Sequence, residues 1–199
     1  MTLVKQCLAG TVALLLAFSA AAATVDIAGV KMEDQIDLRG SKLVLNGAGI
    51  RYKAVFKVYA AGLYLAKKSD TPEEALGVSG PKRITITMLR EIDSNELGKL
   101  FTRSVQDNAP KSEMSRLVPG LIRMSEIFSN CKKLAAGDNF TIDWLPGTGT
   151  VITVNTPNKC PQHNEAFKEP EFFNALLRIW LGPVPADWKL KDALLGKPA

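Results

Sequence analysis

Leu45-Asn-Gly-Ala-Gly-Ile-Arg-Tyr-Lys-Ala-Val-Phe-Lys-Val-Tyr-Ala-Ala-Gly-Leu-Tyr-Leu65 is the stretch on which the reading of this chain turns. Lys42 to Asn46 has the character of a short apolar strand, and Gly47-Ala48-Gly49 is expected to break it. Ile50 to Ala66 is then the longest apolar segment of the domain. Val55, Phe56, Val58, Tyr59, Leu63, Tyr64 and Leu65 are β-branched, aromatic or leucine, which suits strands better than a helix. Gly62 within that run marks either a bulge or a close backbone approach. Arg51 is the unusual residue. It follows the Gly-Ala-Gly turn and opens a strand whose other charges are Lys53 and Lys57. Pointing outward, it is a solvated surface charge. Pointing inward, it needs an anion, and the carboxylate of a ligand is one.

Working outward from this stretch, Val25, Ile27, Val30 to Met32, Ile36 and Leu38 carry strand-like alternation, and Arg39-Gly40-Ser41 is a turn. Downstream, Thr71-Pro72-Glu73-Glu74 starts a short helix that ends near Gly77. Arg83 to Leu89 alternates Ile84, Ile86 and Met88 with Thr85 and Thr87, the pattern of a half-buried strand. Asp93 or Ser94 caps a helix supported by Glu96. Its inner stripe is Leu97, Leu100, Phe101, Ser104 and Val105. A second helix follows Pro110, with Met114, Leu117, Leu121, Met124, Ile127 and Phe128 at helical spacing. Pro119 inside it predicts a kink or two pieces. Asn139 to Leu145 and Thr150 to Val154 read as a hairpin across Pro146-Gly147-Thr148-Gly149. Phe172, Phe173, Leu176, Leu177 and Trp180 form a helix stopped by Gly182-Pro183. Asp187 caps a last helix carrying Leu190, Leu194 and Leu195. Strands, then helices, then a hairpin and more helices make an α+β domain, an antiparallel sheet covered by helices.

The chain has 199 residues, enough for one domain with a single good core. Its first residues have three zones. Lys5 is positive, Leu8 to Phe18 is apolar, and Ser19 to Ala23 is small, with Ala21-Ala22-Ala23 suited to signal peptidase. The apolar run is short for a membrane span. Residues 1–23 are therefore read as a cleaved signal peptide and 24–199 as the exported domain, periplasmic or secreted, with no integral span after processing. The formal charge of +5 falls to +4 when Lys5 leaves. The cations are dispersed along the sequence among acids, an ordinary solvated surface with no signal for nucleic acid. Two of the three cysteines, Cys131 and Cys160, survive processing. They either bridge or remain thiols, and an oxidising compartment favours the bridge, a stabilisation of about 3–4 kcal/mol in the chain-entropy view.

Most motifs of chemistry are missing. Gly47-Ala48-Gly49 lacks the third glycine of a dinucleotide fingerprint, because Tyr52 stands there. His163, the one histidine, has no placed partner for a triad, and with two thiols it makes a poor zinc site. No cofactor and no metal are expected.

The opening stretch resembles the core hairpin of chalcone isomerase-like proteins, in which a Gly-x-Gly-x-Arg turn leads into a strand ending Ala-x-Gly-x-Tyr-Leu. Phe173-Asn-Ala-Leu-Leu-Arg-Ile-Trp-Leu-Gly182 and Leu194-Leu-Gly196 resemble the closing helices of that family, and with the export signal the chain looks like a bacterial, secreted branch. The resemblance implies an open-faced β-sandwich, a large antiparallel sheet covered on one face by helices. It also implies a site. Arg51 matches the arginine of the plant enzymes that cyclise chalcones. Tyr59 stands where they carry a strand threonine, their helix tyrosine and asparagine fall near Ser94 and Phe101, and their late threonine falls at Ile179. With those polar groups lost, cyclisation is not expected, and relatives that bind fatty acids become the better guide. Arg51, Tyr59 and Tyr64 are the expected ligand-binding residues for a small hydrophobic or amphipathic acid. Two alternatives stay open: an isomerase on an unknown substrate, with Arg51 and Tyr59 catalytic, or an envelope protein-interaction domain.

Overall fold

A computed structural model describes residues 23–157, 160 and 165–197; residues 1–22 of the expected signal peptide 1–23, and His163, lie outside them. Strands open the chain: β1 (Thr24–Ile27), β2 (Val30–Glu33), β3 (Gln35–Leu38), β4 (Ser41–Lys53) and β5 (Phe56–Leu65). A short helix α1 (Pro72–Gly77) leads to β6 (Lys82–Met88) and β7 (Ile92–Asp93). Two long helices follow, α2 (Ser94–Asn108) and α3 (Met114–Ser129). The chain closes with β8 (Lys133–Leu134), β9 (Asn139–Leu145), β10 (Gly149–Asn155), α4 (Pro170–Leu181) and α5 (Trp188–Leu194).

The caps sit where the sequence puts them. Thr71 Oγ1 accepts from Glu74 N at 3.2 Å, and Asp93, rather than Ser94, caps α2 by accepting from Glu96 N at 2.9 Å. Asp187 Oδ1 accepts from Lys189 N and Leu190 N at the start of α5. Each such cap satisfies backbone donors that the first helical turn leaves open.

Among the described residues, six strands form one sheet in the order β10-β9-β6-β5-β4-β3, with every neighbouring pair antiparallel. Helices α2, α3 and α4 pack on one face. Phe101, Phe128, Phe140 and Trp180 meet there in edge-to-face and tilted contacts with centroids 5.1–5.9 Å apart. All four are buried, and rings of this size contribute roughly 2–3 kcal/mol each through burial. The other face is not bare. The β1–β2 hairpin lays Ile27, Val30 and Met32 over Leu38, Leu43, Leu45, Ala60 and Tyr64, a second and smaller apolar cluster. Gly62 is the close approach expected of it, since a Cβ there would come within 2.6 Å of Met32 Sδ. Cys131 and Cys160 are joined, with Cα atoms 4.8 Å apart, tying the end of α3 to the segment after β10.

Two expectations are corrected. Gly47-Ala48-Gly49 does not end a strand, because β4 runs unbroken through it and turns only at Ala54, whose φ is +53°. Those glycines serve packing: a Cβ on Gly47 would strike the Ala193 carbonyl oxygen, and one on Gly49 would lie 2.7 Å from Ala193 Cβ. Their bare backbone lets α5 lie directly on the strand. Pro119 does not divide its helix, and α3 is one element from Met114 to Ser129. The carbonyl that Pro119 leaves unbonded is that of Ser115, an exposed residue, so water can satisfy it.

Candidate functional site

The direction of Arg51 is decided five residues upstream. Leu45 pairs with Tyr64, but the next regular pair is Gly47 with Leu63, so Asn46 is an extra residue in β4. A β-bulge of this kind inverts the alternation of side chains beyond it. Leu43 and Leu45 face the hairpin side of the sheet, whereas Gly47 and Gly49 face α5 on the helix side. Arg51 continues the second series and lies directly across from Tyr59. The bulge is held by Asn46 itself, which is buried. Its Nδ2 donates to the Ser69 and Leu194 carbonyls at 2.9 and 2.7 Å, and its Oδ1 accepts from Ser69 N at 2.7 Å.

Arg51 is half-buried. Its guanidinium carbon stands 5.6 Å from the centre of the Tyr59 ring, a cation–π distance. Among the described residues its side chain donates no hydrogen bond and enters no ion pair, and its Nε is buried without a partner. Tyr59 is 1% exposed. Trp180 Nε1 donates to Tyr59 Oη at 2.8 Å, and the phenol proton meets no acceptor among the described residues. Burial pushes the Tyr59 phenol up to about 12, opposed by the Arg51 charge and the Trp180 hydrogen bond and assisted by Asp187. At neutral pH it is therefore a phenol, a hydrogen-bond donor and a weaker acid than tyrosine in water. Asp187 does not neutralise Arg51, because its carboxylate is spent on the backbone N–H groups of Tyr52, Lys189 and Leu190. The result is two donors without acceptors on an apolar face, which complements a carboxylate or another oxyanion.

The residues expected to line a site are only partly brought together. Arg51 and Tyr59 are cross-strand neighbours. Tyr64 is on the opposite face, where its hydroxyl donates to the Glu33 carbonyl at 3.0 Å, so it is separated from Arg51 by the sheet. Phe101 reaches the pair through Trp180, edge-on at 5.5 Å. Ile179 is buried in the core, and Ser94 is buried at the start of α2, its Oγ without a partner. Sequence spacing alone marks neither Trp180 nor Asn46 as a site residue. The signal for Trp180 was its indole N–H inside an apolar stripe, since a buried indole usually finds an acceptor. Ile50 and Tyr52, on either side of Arg51, join Ile27, Ala48, Gly49 and Trp188 in the wall of a cleft of about 820 Å³ between β4, α5 and the β1–β2 hairpin. Among the described residues no helix is long and apolar enough to cross a membrane.

A family model described as chalcone isomerase-like matches residues 23–196. No curated protein sequence matches the chain. Among solved structures, the crystal structure of an Arabidopsis thaliana fatty-acid binding protein superposes with a TM-score of 0.66 at 17% identity, covering 87% of this chain and 96% of that one. At that identity the likeness shows the fold.

Proposed function

This chain belongs to the chalcone isomerase-like family, and from that premise we propose that it binds, without transforming, a fatty acid or similar small amphipathic acid. The observation that carries the reading is Arg51: a guanidinium over the Tyr59 ring with a buried Nε and no acid set against it. A ligand carboxylate takes that place, accepting from Arg51 and from the free phenol proton of Tyr59. The fatty-acid binding of the structural neighbour agrees with this choice of ligand. A raised phenol and the aromatic and aliphatic side chains at Phe101 and Ile179 offer little to a reaction that must move protons. Export through residues 1–23 is part of the same proposal, and places the ligand outside the cytoplasm.

Native mass spectrometry of protein recovered from cells tests both parts. The expected spectrum shows the chain without its first 23 residues and a fraction carrying a bound acid. Titration with a long-chain fatty acid then saturates the wild type, and Arg51→Met weakens binding about tenfold or more, the loss of a charge-assisted contact. Equal affinity in wild type and Arg51→Met, or no binding by either, overturns the ligand reading. A chain that keeps residues 1–23 overturns export.

A further inference from the structure

We propose that the end of the molecule formed by the β4–β5 turn and the start of α5 is a docking surface for an anionic lipid bilayer. This inference stands apart from the ligand reading, since it needs neither Arg51 nor a bound acid.

The surface begins with a misplaced kind of residue. Turn positions usually take glycine, asparagine, aspartate or proline. Here the turn between β4 and β5 presents Val55 at 82% exposure and Phe56 at 59%. Trp188, the first residue of α5, is 61% exposed. The two projections are fastened together, because Tyr52 N donates to Asp187 Oδ2 at 2.9 Å, next to Trp188. Tyr52 itself is also exposed, and it shares a cleft wall with Trp188. None of these side chains completes a core.

Cations surround the apolar tip. Lys53 and Lys57 flank the turn on its two strands and are exposed. The Arg90 guanidinium lies 5.1 Å from the Phe56 ring centre, and Lys191 Nζ lies 5.1 Å from that of Trp188. Lys189 is exposed beside Trp188. Among the described residues none of these five is in an ion pair. Of the acids close by in the chain, Asp187 is committed to three backbone N–H groups and Glu91, next to Arg90, is paired with Lys133. Lys191 also donates to the Gly182 carbonyl at 2.9 Å, which leaves its charge without a counter-ion. Aromatic and aliphatic side chains projecting beyond a collar of cations outside any ion pair match the layering of a bilayer surface. The tip enters the headgroup and upper acyl region while lysine and arginine stay level with the phosphates. Nucleic acid supplies the phosphates but no apolar layer for Val55 and Phe56.

Co-sedimentation with phosphatidylcholine vesicles, with and without phosphatidylglycerol, tests the proposal on the protein as recovered from cells. The expected result is sedimentation with the mixed vesicles, much less with phosphatidylcholine alone, and release by added salt. Lys53→Gln with Lys57→Gln lowers partitioning about fivefold per cation removed. Val55→Ser with Phe56→Ser lowers it further, with an unchanged melting temperature because both side chains are exposed. Should that second variant misfold, the glutamine pair decides alone. Equal binding to both vesicle types, no binding to either, or glutamine variants that bind as wild type overturns the proposal. Capture by nucleic acid or a protein in place of the mixed vesicles does the same.

Discussion

Strand β5 carries two tyrosines, each directly opposite an arginine on a neighbouring strand, and the two pairs lie on opposite faces of the sheet. Tyr64 stands across from Arg83, and Tyr59 across from Arg51. Burial pushes both phenols up to about 12. The difference is in what surrounds them. Arg83 is held on both prongs by Asp143, Nε to Oδ1 at 2.7 Å and Nη2 to Oδ2 at 2.6 Å, and Tyr64 donates to a backbone carbonyl. Both members of that pair have their complements. On the helix face, among the described residues, Arg51 has no carboxylate and the Tyr59 proton no acceptor. Similar residues thus make a closed structural cluster on one side and an open one on the other. An open donor pair in apolar surroundings is what a ligand anion completes, because buried charge without a partner is costly.

The comparison breaks most completely at the bulge. Asn46→Ala removes three buried hydrogen bonds and frees the register that turns Arg51 toward the helices. A loss of about 3 kcal/mol is expected from unsatisfied backbone groups alone, read by denaturant unfolding. A small loss with retained ligand binding would mean that the bulge holds without its side chain. Next come the arginines. Arg83→Met strands the buried Asp143 carboxylate and costs about 2 kcal/mol, less than for a fully buried pair because Arg83 is partly exposed. Arg51→Met strands nothing, so its stability change stays within about 1 kcal/mol. Equal losses in the two variants would show that Arg51 has a structural counter-charge after all.

The smallest effect is alkaline. Below about pH 9 both tyrosines are protonated whether the chain is folded or unfolded, so they contribute no pH dependence. Between about 10 and 12 the unfolded chain releases their protons and the folded one holds them, so stability falls as pH rises. The fall is roughly 1 kcal/mol per tyrosine by pH 11. Tyr59→Phe and Tyr64→Phe should each flatten that slope by a similar amount in thermal melts. A slope unmoved by either would show that the phenols ionise in place.

Much of the fold was legible because its signals are local. The alternation of Ile84, Ile86 and Met88 became β6, the turn at Pro146 to Thr148 joined β9 to β10, and the side chains of Thr71 and Asp187 bonded the backbone groups expected of caps. The glycines at 47 and 49 were misread for the same reason. Glycine is a local breaker, and its use here as a seat for α5 depends on residues about 145 positions away. The geometry of the candidate site was half legible. Arg51 and Tyr59 do lie side by side, but counting by twos assigns Tyr64 no side until the register is known.

By itself, then, the sequence determined most of the elements, the caps at Thr71 and Asp187, the family, and the residue types at the candidate site, all of which follow from short-range spacing and chemistry. Tertiary structure decided which way those residues point. One inserted residue, Asn46, inverts the face of everything after it in β4, and it is pinned by bonds to Ser69 and Leu194, 23 and 148 positions away. Folding also gathered Lys53, Arg90 and Lys191, dispersed along the chain, around one apolar tip. Periodicity of two is a property of neighbours, whereas the register and the collar are set by contacts that exist only when the chain has closed.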